Sequence, residues 1–298
     1  MKNNTIHYWA CDDSPNTGEG KLCLFFLKDL QKIGKIKNIK KENPSAYRKN
    51  FKHRYILPFI GIFYCWKYYF KNKNSCYINY LPLWNFLIFL LLPPKTIVGP
   101  ITGGAKFNDE SFFIRSYIFP IFYKISELII NIRKYDIIFS TALLKKYLTK
   151  NTIRKSNFNY ILKKFNYKKK KFKKSIDFLV YYRNHKNKKS LFPKKFIHSL
   201  IRFGFKVNVI GDKLDISSVT NHGFVDNNYI AKLQSKAKYT IASAENLYSL
   251  FTLECITQNV RILVDKSDKL LINFYKDSFL RINFKNHKEF NKMNISKL

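Results

Sequence analysis

Short apolar runs alternate with amphipathic stretches along most of the chain. "TIHYWA" (5–10) predicts a first strand, and "KLCLFFLKDLQKI" (21–33), after the turn "NTGEG", has helical spacing. "WNFLIFLLL" (84–92) predicts a buried helix ended by Pro93 and Pro94. "KTIVG" (95–99) reads as a short buried strand stopped by the loop "GPITGG", and "YDIIFS" (135–140) as another strand. A lysine-rich stretch, "LKKFNYKKKKFKKS" (162–175), then interrupts the pattern. Beyond it the alternation restarts. Strands are predicted at "DFLVYYR" (177–183), "KVNVIGD" (206–212), "YTIASA" (239–244) and "RILVD" (261–265). Helices are predicted at "PKKFIHSLIRFG" (193–204), "NYIAKLQSKA" (228–237) and "SLFTLECITQ" (249–258).

Alternation of this kind builds parallel sheets covered by helices on both faces. It predicts an α/β fold of two doubly wound domains facing each other across a cleft. Residues 1–160 are expected to form the first domain, 161–176 a polybasic linker and 177–298 the second. Ligands of such sheets sit at the carboxyl ends of the strands, so Glu245, just after "YTIASA", is expected to face the cleft.

Composition narrows the class. Of 298 residues, 46% are hydrophobic and 17% aromatic, enough to bury a core. The net charge of +36 points to an anionic partner such as nucleic acid or a membrane surface. Lysine far outnumbers arginine, however, and Asn, Ile, Phe and Tyr are abundant, as an AT-rich coding sequence would produce. Charge alone therefore selects no partner. Cys11, Cys23, Cys65, Cys76 and Cys255 are odd in number and form no CxxC pair, which fits a reducing cytosol better than a metal framework or a secreted disulfide pattern. "MKNNTIHYWACDD" lacks a signal-peptide apolar stretch. The most apolar run, "LPLWNFLIFLLLPP" (81–94), is shorter than the ~20 residues that span a bilayer. A cytoplasmic protein is expected, with peripheral attachment to the inner face of the plasma membrane as an extension of that reading.

Candidate chemistry centres on "SAENLYSLFTLEC" (243–255), which holds two carboxylates in a cationic chain. A carboxylate can accept hydrogen bonds from two neighbouring hydroxyls of a ribose or hexose ring. At a strand-to-helix turn it also meets backbone N–H groups that favour a nearby phosphate. A sugar-nucleotide supplies both kinds of partner. The plainer alternative is that Glu245 caps the next helix and Glu254 makes a surface ion pair.

The order "FLVYYR", "RNHKNKK", "VNVIGD", "VTNHGFVDNNYIAKLQSKAKYTIASAEN", "LYSLFTLEC" resembles the two-domain, type-B (twin-Rossmann) glycosyltransferases, above all the large retaining family with a Glu-x7-Glu signature. The resemblance covers roughly residues 177–266, and a shorter N-terminal portion weakly. It implies that Glu254 binds the nucleotide ribose and that Glu245 lies near the transferred sugar. It also implies that Arg183 and Lys188 neutralise the donor diphosphate, with Lys186 or Lys189 able to substitute in so lysine-dense a loop. Eight residues separate the two glutamates instead of seven, so Asn246 holds the strictly aligned position. Ser249 and Leu250, at the start of the following helix, complete the donor-binding set. "ENLYSLFTLE" also resembles the Glu-Asn…Thr-x-Glu pattern of inverting fucosyltransferases, which leaves the stereochemistry open.

In the N-terminal half, Gly18 and Gly20 of "SPNTGEGK" (14–21) would let backbone amides approach a phosphate or sugar, although ordinary turns use such glycines too. Gly103 and Gly104 of "GPITGG" either line the acceptor side or simply make the turn. His7, Asp12 and Asp13 are expected at or beyond the end of the first strand, where an inverting enzyme would need a general base. A core His and a turn Asp are the preferred readings of these residues. No Asp-x-Asp pair lies at a strand end, and His53, His185, His198, His222 and His287 lack metal spacing, so neither a cofactor nor an obligatory metal is implied.

The expected partners are thus a nucleotide-sugar and a glycan or lipid-linked acceptor, in cell-surface polysaccharide synthesis. An anionic membrane surface would be met by the lysines of 163–174 and by aromatic residues such as Tyr64, Trp66, Tyr68 and Tyr69. Two rival classes are a non-catalytic transferase-like scaffold and a nucleic-acid-binding protein that uses the polybasic stretch. No RNP-like motif, zinc knuckle or helix-turn-helix supports the latter, and no nucleic-acid partner is expected.

Overall fold

The computed structural model describes residues 5–43, 50–78, 81–104, 113–165, 173–268 and 271–286. They fall into two compact units, the first built from residues up to 104 and from 113–164, the second from residue 165 onward. Residues 166–172, the lysine-rich centre of the expected linker, lie outside the described residues.

The first unit contains β1 (Thr5–Ala10), α1 (Gly18–Leu30), β2 (Lys35–Lys41), α2 (Phe51–Tyr69), β3 (Asn74–Ile78), β4 (Leu81–Pro82), α3 (Phe86–Leu91), β5 (Ile97–Val98), β6 (Ile101–Thr102), α4 (Phe119–Arg133) and α5 (Lys150–Lys155). Its main sheet is parallel, in the order β2-β1-β3-β5, and β4 pairs with β6 beside it. Trp9 and Tyr77 on adjacent strands are fully buried and stack at 5.0 Å. β2, "KIKNIKK", is an edge strand with only Ile36, Asn38 and Ile39 partly covered and all four lysines exposed, which is why they are tolerated. "YDIIFS" makes only isolated bridges, Ile101 to Phe139 and Ile138 to Asn157, because the strand it meets is two residues long.

His7 is the core histidine expected, but it lies within the strand and not at or beyond its end. His7 is the third residue of β1, paired with Lys37 and Ser75, roughly 10 Å short of the carboxyl end at ~3.3 Å per residue. Its ring packs on Tyr68 at 4.5 Å. Burial, then the charges of Lys73 and Lys37, lower its pKa, so it is a core histidine and not a base at the strand end. The aromatics expected at a headgroup region, Tyr64, Trp66, Tyr68 and Tyr69, are half-buried. Tyr64 and Trp66 pack against the core, and the Trp66 indole N–H donates to the Leu91 carbonyl at 2.7 Å.

One polar anchor ties the end of this unit to α1. Tyr160 donates to Asp29 at 2.7 Å, Lys32 lies at 2.8 Å and Lys164 is also bonded to it. Burial works against the Asp29 charge, but Lys164, Lys32 and Tyr160 overcome it and hold its pKa below the ordinary carboxylate range. A depressed folded-state pKa contributes stability that is fully present above the unfolded value of about 4 and is lost only as pH falls on through the lower folded-state value. Asp29→Asn should therefore lower the melting temperature at neutral pH, and the difference from the parent should shrink progressively as pH falls below about 4, to be read in paired thermal melts across that range.

The second unit contains β7 (Ile176–Tyr182), α6 (Lys186–Leu191), α7 (Lys194–Arg202), β8 (Val207–Gly211), β9 (Val219–Gly223), α8 (Asn227–Lys236), β10 (Ala237–Ile241), α9 (Leu250–Thr257), β11 (Arg261–Asp265) and β12 (Phe279–Ile282). All six strands are parallel, in the order β12-β11-β10-β7-β8-β9. Phe178, Val180, Val207, Val209, Ile241 and Leu263 form the sheet's buried layer, with Phe196, Ile197 and Leu200 of α7 packed on it. Near-continuous apolar strands are what a sheet covered on both faces requires.

Candidate active site

Strand order locates the site in the second unit. From β7 the chain winds to β8 and β9 on one side, whereas β10, β11 and β12 lie on the other. The carboxyl ends of β7 and β10 therefore flank a topological switch point, where open α/β sheets leave a crevice. Arg183 and Lys188 follow β7, Asp212 follows β8, and Glu245 and Asn246 follow β10.

The end of β8 is drawn against the end of β7 by a glycine. Gly211 has φ +100°, and a Cβ there would lie 2.2 Å from the Tyr182 carbonyl oxygen. Only glycine allows that approach, and it brings the Asp212 N–H to the same oxygen at 3.0 Å. The Asp212 carboxylate then accepts from Arg183 Nε at 3.2 Å and from the Asn184 N–H at 2.7 Å. Arg183 also donates to the Tyr181 hydroxyl at 3.2 Å and lies 5.2 Å over the Phe224 ring. Burial works against the Arg183 charge, but Tyr181 and Asp212 outweigh it and raise its pKa. These bonds fix the guanidinium at the strand end and engage only part of its five-donor fork.

Lys188 reaches across the switch point. Its ammonium is 3.9 Å from the Glu245 carboxylate and 6.0 Å from the centre of the Tyr181 ring. The lysine side chain is 44% exposed and Glu245 only 13%. An ion pair this long and half-exposed is worth about 0–1 kcal/mol, so an incoming anion can readily separate it. The Lys186 side chain lies outside the described residues, and Lys189 is exposed.

The remaining residues of the β10–α9 loop shape the loop itself. The Glu245 N–H donates to Ser243 Oγ at 3.3 Å, and Asn246 Oδ1 accepts from the Tyr248 N–H at 3.1 Å. Ser249 caps α9, accepting from the Thr252 N–H at 3.2 Å, and Leu250 opens the helix. The first-turn amides of a helix have no intrahelical acceptor and favour anions. Glu254 lies one turn further on and takes a 3.4 Å hydrogen bond from buried Gln234 of α8. Burial, then the Glu254 charge, pushes the Cys255 thiol well up, so it is no nucleophile.

In the first unit the corresponding switch point lies between β1 and β3. Cys11, Asp12, Glu19, Ile78 and Thr102 line a small pocket there. Asp12 is spent on its own loop, accepting from the Ser14 N–H at 2.9 Å and from Thr17 Oγ1 at 2.7 Å. Thr17 in turn caps α1 by accepting from the Gly20 N–H at 2.9 Å. A Cβ on Gly20 would lie 2.0 Å from the Ser14 carbonyl oxygen, so this glycine closes the loop upon itself. Gly18 is exposed at the first position of α1, and Asp13 is half-buried beyond β1. Gly103 and Gly104 follow β6 with positive φ, and Gly104 packs directly on Leu143. Among the described residues, no three His, Cys, Asp or Glu side chains gather as a metal site.

The structure thus brings Arg183, Lys188 and Glu245 together, with Asn246, Ser249 and Leu250 in the adjoining loop and helix start. Asp212, Tyr181 and Phe224 join them, and sequence reading missed all three. The Gly-Asp ending of "VNVIGD" was a readable signal for Asp212; Phe224 had none.

No family model matches the chain, and no curated protein matches it by sequence. Solved structures do resemble it in fold. HepE of Anabaena, solved with UDP-glucose, is 9% identical at a TM-score of 0.55, over 97% of this chain and 88% of that one. The UDP-GlcNAc 2-epimerase of Methanocaldococcus jannaschii, solved with UDP-GlcNAc and UDP, is 9% identical at a TM-score of 0.56, over 99% and 93%. A glycosyltransferase of Rickettsia africae is 11% identical at a TM-score of 0.52, over 98% and 87%. With the two parallel sheets, these likenesses establish the twin-Rossmann fold of the type-B glycosyltransferases.

Proposed function

We propose that this twin-Rossmann protein is a glycosyltransferase that takes its sugar from a nucleotide-sugar. The observation that carries the reading is the meeting of Arg183, Lys188 and Glu245 at the switch point of the six-stranded sheet. When the bond between the anomeric carbon and the phosphate oxygen breaks, its electron pair stays on the leaving diphosphate. Charge develops on that oxygen, and the fixed Arg183 guanidinium and the Lys188 ammonium stabilise it. The acceptor hydroxyl forms the new bond to the anomeric carbon, and its proton passes to the departing diphosphate or to water. Binding of the diphosphate draws Lys188 from Glu245, whose carboxylate is then released to accept from sugar hydroxyls. The first-turn amides of α9, with Ser249 and Leu250, face the phosphates, and Glu254 takes the ribose hydroxyls. The acceptor is read as a glycan or lipid-linked glycan of cell-surface polysaccharide synthesis.

Glu254→Gln tests the ribose assignment. Glutamine keeps an acceptor near Gln234 but loses charge-assisted acceptance, so affinity for UDP or ADP should fall by roughly 1.5–3 kcal/mol. Calorimetric titration reads this directly. Equal affinity in variant and parent would return Glu254 to a link between α8 and α9.

A further inference from the structure

We infer that the outward face of α4, with α3 and α2 beside it, docks on an anionic lipid bilayer. Tyr117, Ile121, Ile125, Leu128 and Ile132 recur at intervals of four, four, three and four residues, which places them on one stripe of the helix and of the turn leading into it. Four of them are 60–68% exposed (Tyr117 62%, Ile121 60%, Leu128 61%, Ile132 68%). The opposite stripe, with Tyr123, Ser126, Glu127 and Ile130, is the buried one. The outer side of α4 is thus a second, apolar stripe that no described residue covers. Single exposed apolar residues are ordinary, but a continuous stripe marks a contact surface.

The stripe extends onto neighbouring helices. The Arg133 guanidinium donates to the Leu90 carbonyl at 3.1 Å and the Trp66 indole to Leu91, holding α3 between α4 and α2. Leu87 and Leu90 of α3 and Phe59 and Phe63 of α2 are exposed as well.

Charge selects the occupant. Residues 43–108 contain no Asp or Glu, and 111–135 contain only Glu127. The Glu127 side chain is 4% exposed and is bonded to Thr149 and Lys124. The exposed cations carried by these helices and the α4 cap include Lys67 of α2, Lys124 of α4 and Lys134 at its C-terminal cap. A second copy of a chain with net charge +36 would bring like charge to the contact, whereas an anionic bilayer takes up both the apolar side chains and the cations. Among the described residues no helix is long and apolar enough to cross a membrane, so the contact lies in the plane of the surface.

The test is co-sedimentation of the full chain with vesicles of phosphatidylcholine, with and without phosphatidylglycerol, at low and high salt. Binding should require phosphatidylglycerol and weaken with salt. Ile121→Ser with Leu128→Ser leaves the net charge unchanged and touches only exposed side chains, yet the partition coefficient should fall by roughly tenfold or more. Thermal melts and UDP titration should be unaltered by that double variant, so docking and the transfer reading can fail independently. Three results would overturn the inference: a parent protein that stays in the supernatant with anionic vesicles at low salt; a double variant that binds as the parent does, which leaves the lysines alone responsible; or a parent dimer that the double substitution dissolves, with no vesicle binding.

Discussion

Replacing Arg183 and Lys188 together with alanine should lower sugar transfer by roughly 10²–10³-fold or more, the scale at which one preorganised charge or donor acts on a transition state. The fold should survive. The Arg183–Asp212 pair is 41% and 32% exposed and the Lys188–Glu245 pair is long, so each contributes only about 0–1 kcal/mol. Asp212 keeps its 2.7 Å bond from the Asn184 N–H when the guanidinium is gone. Rate and melting temperature, measured on the same preparation, separate the two effects. Turnover at the parent rate would make the loop after β7 a solvated basic surface and nothing more.

Gly211→Ala should damage both stability and activity. Its positive φ costs about 1–3 kcal/mol for a residue with a Cβ, before any clash is counted. The clash is with backbone, the Tyr182 carbonyl, which no side-chain rotation relieves. To escape it the end of β8 must move away from β7, taking Asp212 out of reach of Arg183. Gly204→Ala is the matched control, because Gly204 has φ +79° but no heavy atom within 4 Å of the added carbon. That variant should cost about 1–2 kcal/mol and leave activity intact. Denaturant unfolding of the two variants gives the comparison, and equal costs would contradict the close approach of β7 and β8.

How far the sequence could be read follows from where each segment sits. "RILVD" and "DFLVYYR" are interior strands of a parallel sheet and announce themselves as apolar runs. β2 and β9 are edges, and "KIKNIKK" and "VTNHG" spend half their residues on solvent, so no apolar run marks them. α2 was hidden by its composition, being rich in aromatics, with Pro58 inside the helix and no acidic residue in its first turn. At the site, Glu245 was legible from its place after a readable strand, whereas Arg183 and Lys188 were picked out by the family resemblance of the loop after β7. Their partners were not. Whether Arg183 meets Asp212 depends on the pairing of β7 with β8 and on the backbone of Gly211, which no local pattern encodes.

The central claim is that a nucleotide-sugar is opened at the carboxyl ends of β7 and β10. Its most direct test is release of nucleoside diphosphate from a panel of UDP-, ADP- and GDP-sugars, with glycan and lipid-linked acceptors, for the parent and for the Arg183→Ala, Lys188→Ala double variant. Diphosphate should appear from at least one donor in step with sugar on the acceptor, and should be lost in the double variant. No binding and no release with any donor, or conversion of the sugar while it stays attached to the nucleotide, would contradict it.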